Sequence, residues 1–170
     1  MTGEWRRNDL LRLVLGLFLV YMVLFWVTNW ILWFQKMTLS PASVVAYYRG
    51  DPALDFGRPA RPLGAMAEVA HFHLFAMGLL VMTLTHLLLF LPVSARTKAI
   101  LVSVAFASAI LDEGAGWLVR FVHPAFAIVK VAGFLLLQAS LFGLLVALLV
   151  GVAQPGRNAY EDGERRRVRA

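Results

Sequence analysis

His71, His73, His86 and His123, with Glu68, Asp112, Glu113 and Lys130, are the residues of this chain best equipped for chemistry. All of them fall inside or at the edge of long apolar runs. The stretch EVAHFHLFAMGLLVMTLTHLLLF, residues 68–90, reads as a membrane-crossing segment, yet it holds a glutamate and three histidines. Ionisable side chains are costly in hydrocarbon. Where they persist they face a bundle interior, pair with one another and mark function. Neutral imidazole is an axial ligand for haem iron and a ligand for zinc, iron or copper. It also titrates near neutral pH, so beside a carboxylate it can hydrogen-bond a quinone and relay protons.

The elements that must position these groups follow from hydropathy. The 170 residues are 60% hydrophobic, with a mean hydropathy of +0.72, against about 45–50% apolar residues in a soluble domain. The excess lies in four runs, about 10–34, 64–91, 99–119 and 125–152. Each reaches the roughly 20 residues needed to cross a 30 Å core. Backbone groups in lipid must be satisfied within the segment, so each run is a helix. The fold class is therefore all-α, an integral membrane four-helix bundle. The links PVSARTK and RFVHP are short, which makes the helices they join antiparallel neighbours. Pro124 suits a first helical turn. Gly78, Gly114, Gly116 and Gly133 let helices approach closely. The longest link, about 35–63, contains SPASVVAYYRGD. Ser40 is a candidate N-cap, Pro41 a first-turn residue and Gly50 a stop, so a short interfacial helix is expected in this first outer loop.

Lys and Arg set the orientation. Arg6, Arg7, Arg12, Arg96, Lys98 and the arginines of the tail fall on one side, which should be cytoplasmic and hold both termini. The organisation is then a cytoplasmic N-terminus (1–9), a four-span bundle (10–152) and a disordered basic tail (153–170). The first apolar run is too long for a signal peptide and no small-residue cleavage site follows it, so it reads as a retained span. Trp26, Trp30 and Trp33 mark its outer end as an aromatic belt for lipid anchoring. The net charge of +6 reflects orientation in an inner (cytoplasmic) membrane rather than nucleic-acid binding. The absence of cysteine removes disulfides, thiolate catalysis, iron–sulfur clusters and c-type haem attachment.

Depth then groups the polar residues. At 1.5 Å per residue, His71 and His73 lie roughly 10–14 Å in from the outer end of the second span, Asp112 and Glu113 roughly 10–12 Å, and Lys130 about 9 Å. His123 sits at the lip and Glu68 one turn above His71. Three helices thus contribute to one polar layer near the outer face. By helical phase, His71 and His73 point about 160° apart.

Several chemistries suit this layer. His71 or His73 on the second span with His123 at the start of the fourth would ligate one bis-histidine haem b, with Gly114 and Gly116 making room for the ring. In outline, through His71, His73, His86 and His123, the chain resembles the small four-helix membrane-bound b-type cytochromes that serve quinone-linked enzymes. That resemblance implies electron transfer between a quinone pool and a partner redox subunit of a larger membrane complex. It makes any enzymatic role that of a subunit of a quinone-linked oxidoreductase. On this reading Glu68, Asp112 and Glu113 handle protons, and Lys130 balances charge or holds a haem propionate. A second reading is a metal site using His71, His73 and His123. A third is a quinone site in the same layer, with or without haem. The alternative is an accessory subunit whose ion pairs, such as Lys130 with Asp112 or Glu113, only lock helices together.

Overall fold

The computed structural model describes residues 8–51, 53 and 57–153. It consists of α1 (Asp9–Lys36), α2 (Pro41–Arg49), α3 (Leu63–Leu88), α4 (Ala95–Phe121) and α5 (Ala127–Ala153), the last preceded by a 3-10 turn at Pro124–Phe126. Among the described residues, four helices are long and apolar enough to cross a membrane. The architecture is the expected all-α membrane bundle with a short helix across one end. The expectations for residues 1–7 and for the tail beyond Ala153 fall outside the described residues.

Caps explain where the elements begin. Asn8 starts α1, its side-chain oxygen accepting from the Leu10 and Leu11 amides at 3.0 and 3.3 Å. Ser94 starts α4 by accepting from the Thr97 amide at 3.1 Å. As a result α4 begins four residues before the apolar run, and ARTK is helix rather than link. Lys98 reaches back from the first turn of α4, donating from Nζ to the Leu89 carbonyl at 2.7 Å and closing the end of α3. The α2 helix starts and ends where the sequence indicates. Ser40 occupies the N-cap without a side-chain bond, and Gly50 ends the helix at φ 89°. A Cβ at Gly50 would also run into the Arg58 carbonyl and the Ala60 amide, because Asp51 and Arg58 pair there through both backbone bonds, 3.0 and 2.8 Å.

The tightest seam joins α4 and α5. Gly133 brings α5 so close that a Cβ there would stand 3.1 Å from the Asp112 amide nitrogen. Ser108 and Ser140 face each other across the seam, Oγ to Oγ 3.4 Å. Small polar residues at such a contact replace the hydrophobic drive that lipid removes. The other half of the bundle is filled by Leu84, Leu88, Leu141, Leu144, Leu145 and Leu148 around Leu19.

The tryptophans of α1 correct the belt reading. Trp33 is buried and stacks on Phe134, centroids 3.9 Å apart at 16°. Trp30 meets the same ring edge-on at 5.1 Å. Trp26 donates from Nε1 to the Gln138 carbonyl at 3.0 Å. Residues four and three apart share a helix face, and here that face seals α1 to α5 rather than pointing to lipid.

Candidate functional site

At the α2 end of the bundle, α1, α3, α4 and α5 enclose a cavity of about 360 Å³. That volume lies within the range of small-molecule sites, roughly 300–1,000 Å³. Its polar lining comes from Tyr48, His73, Asp112, Glu113, Lys130 and Gln138, with Lys36 and Arg61 at the same end. The phase of α3 puts Met66, Met77 and Val81 on the cavity side together with His73.

Lys130 projects from α5 one turn before Gly133, where α4 is closest. Its ammonium donates to Asp112 Oδ1 at 2.7 Å and to the Asp112 carbonyl at 2.8 Å. The two side chains are 8% and 17% exposed, so the pair is largely withdrawn from solvent. Trp33 lies beneath the ammonium, 5.6 Å from Nζ to the ring centroid. The helix-locking ion pair anticipated between Lys130 and a carboxylate of α4 is therefore formed, with Asp112. Glu113, one residue on, makes no salt bridge among the described residues and lines the cavity.

Three buried polar atoms on the lining have no hydrogen-bond partner among the described residues: Trp33 Nε1, Arg61 Nε and Gln138 Oε1. Gln138 is 2% exposed and Trp33 5%. A buried polar atom left unpaired costs about 1–3 kcal/mol. Two unpaired donors and one unpaired acceptor thus lie on residues that line this space.

The α2 helix lies over the cavity. Val44 is fully buried among Trp33, Met37 and Val119. Tyr48 rests on Gly116, where a Cβ would meet its hydroxyl at 2.7 Å. Gly116 does make room for a flat ring, but the ring is that of Tyr48. Burial foremost, and then the carboxylate of Asp112, hold the Tyr48 phenol well above its ordinary range. The loop after α2 is tied down by Arg120, whose Nε donates to the Arg61 carbonyl at 2.9 Å. Sideways the lining includes Leu32, Leu74 and Ile110, all more than half exposed on the apolar outer surface of the bundle. The cavity is covered at the α2 end and reaches the surface that lipid would touch.

Of the anticipated layer, the cavity gathers His73, Asp112, Glu113 and Lys130. Glu68 and His71 are exposed on the opposite side of α3. His123 is exposed at the turn before α5, where its Nδ1 accepts from the Ala125 amide at 3.1 Å. His86 is exposed near the far end of α3 against the Phe90 ring. Among the described residues, no three His, Asp or Glu side chains converge where they could hold a metal ion. Tyr48, Arg61 and Gln138 are not among the residues that the sequence singles out. The YY pair in the outer loop was the available signal, but burial, which gives it meaning, was not.

The Aq_1264_TM family, described as a transmembrane helical domain, matches residues 38–159, more than half of the chain. The chain belongs to this family. The family segment contains α2 through α5 and hence Tyr48, His73, Asp112, Glu113, Lys130 and Gln138, whereas Trp33 and Lys36 lie on α1, before it. No curated protein and no solved structure matches the chain.

Proposed function

We propose that this protein is a membrane electron-transfer subunit that binds a quinone headgroup in the cavity beneath α2. The α2 end is the outer face of an inner membrane, with both termini cytoplasmic. The observation that carries this reading is the partnerless pair Gln138 Oε1 and Trp33 Nε1, buried on the lining of a cavity that also receives His73. A quinone supplies a couple that takes up two electrons and two protons and presents two carbonyl oxygens that accept hydrogen bonds. Trp33 Nε1 and the His73 imidazole are donors of the right kind for such oxygens. Gln138 Oε1 accepts from a hydroxyl. Glu113 carries a proton between the cavity and the Tyr48 end. Lys130, neutralised by Asp112, holds that carboxylate in place. The cover formed by α2 and the apolar rim at Leu32, Leu74 and Ile110 suit a ligand arriving from lipid rather than from water.

Haem b fits these residues less well. One histidine, His73, lines the cavity; His71 faces away and His123 caps a turn. No pair of imidazoles stands across the space. The accessory reading is favoured at one point, the Lys130–Asp112 pair, which joins α4 to α5 whether or not a ligand binds.

The test uses protein purified from its own membranes. Quinone is extracted and quantified, and a short-chain ubiquinone analogue is titrated against tryptophan fluorescence. Stoichiometric quinone, lost in His73→Ala and Gln138→Leu, supports the reading. Absence of quinone together with no saturable quenching overturns it. A reduced-minus-oxidised spectrum of the same sample tests haem b directly.

A further inference from the structure

The outward face of α3 carries polar residues where a lipid-facing helix should have none. Glu68, His71, Phe75, Leu79, Met82 and His86 fall within one stripe about 80° wide, and all six are exposed. Phe75, Leu79 and Met82 are more than half exposed and apolar, as lipid contact requires. Glu68 and His71 are not. The helix is 26 residues long, about 39 Å, and so overhangs a 30 Å core by about 4–5 Å at each end. His71, eight residues from Leu63, then lies roughly 7 Å inside the hydrocarbon. Ionisable groups at such depth face protein or a water-filled cavity. The cavity is on the other side of α3, with His73.

We propose that a second copy of this chain covers this face, in a parallel two-fold dimer in which Glu68 of each copy pairs with His71 of the other. The complementarity is internal to the stripe. A two-fold axis along the membrane normal brings equal depths together, and a carboxylate and an imidazole one turn apart meet their opposites twice across it. Gly64 lies on the same face with open space where a Cβ would project, so the two α3 helices can approach closely just where the polar pairs form. Both pairs then satisfy, within protein, groups that lipid would leave bare. The inference is independent of what the cavity binds.

Because the chain has no cysteine, single cysteines report contacts without background. Phe75→Cys and Leu79→Cys, in the full chain in native membranes and in proteoliposomes of the purified protein, should form disulfide-linked dimers on mild oxidation. Leu24→Cys on α1, exposed and at matching depth, should not. Adding Glu68→Ala to Phe75→Cys removes both symmetry-related pairs and should lower the cross-linking yield roughly tenfold, the scale of two interhelical polar pairs in a membrane. The swap Glu68→His with His71→Glu should restore it. Equal yields at Phe75 and Leu24, or none at either α3 position, overturn the proposal. So does an adduct of some other mass in native membranes, which would give the face to a different protein.

Discussion

Lys130 and Asp112 show how one residue choice acts at two levels. The pair is direct, charged and nearly buried, and removing one partner of such a pair strands the other. Lys130→Ala should destabilise the protein by about 3–5 kcal/mol, read as a lower midpoint in thermal unfolding in detergent. Lys130→Met combined with Asp112→Asn should recover much of that loss, because no lone charge is left. Gln138→Leu should behave in the opposite sense. Its Oε1 has no partner among the described residues, so its removal should leave stability unchanged or raised while quinone binding falls. A variant that loses both together would make Gln138 structural.

At the scale of elements, the cover over the cavity depends on α2 lying flat on α4. Tyr48 against Gly116 is the contact that sets this distance. Gly116→Ala should therefore lift α2 locally, seen as faster backbone hydrogen exchange over 41–49 with little change in α4. The same packing predicts a pH effect. The folded protein holds the Tyr48 phenol above its ordinary range, through burial first and the Asp112 charge second. An acid whose folded pKa is raised contributes stability that is complete below the unfolded pKa and declines above it. Unfolding midpoints should thus fall progressively above about pH 10, and less so in Tyr48→Phe. The tryptophans of α1 belong to this scale as well. Their spacing, four and then three, was legible as one face, but whether that face met lipid or α5 was decided by Phe134 and Gln138 on a helix a hundred residues away in sequence.

For the whole molecule, four spans among the described residues put Asn8 and Ala153 on one side, and the proposed orientation, drawn from the Lys and Arg bias, makes that side cytoplasmic. With a cysteine-free background, Ser94→Cys should be labelled by a membrane-impermeant thiol reagent only from the cytoplasmic side, and Arg58→Cys only from the outside. The reverse pattern would place the cavity at the inner face. Membership of a family of transmembrane helical domains fits the multi-pass architecture.

Composition, run length and capping residues determined the spans, the connecting helix α2 and its stop at Gly50, because these rest on burial and backbone hydrogen bonding that act within a segment. Depth along the helices also placed His73, Asp112, Glu113 and Lys130 at one level before any contact was known, since rise per residue is fixed. Rotation was the part left undetermined. The phase of α3 relative to its neighbours puts His73, itself exposed, on the rim of the cavity and Glu68 and His71 on the opposite side, and the turn before α5 engages His123. Those outcomes depend on the close approach at Gly133 and Gly116 and on the aromatic seam between α1 and α5. They are contacts between distant residues, which hydropathy and spacing do not encode, and only the tertiary structure decided them.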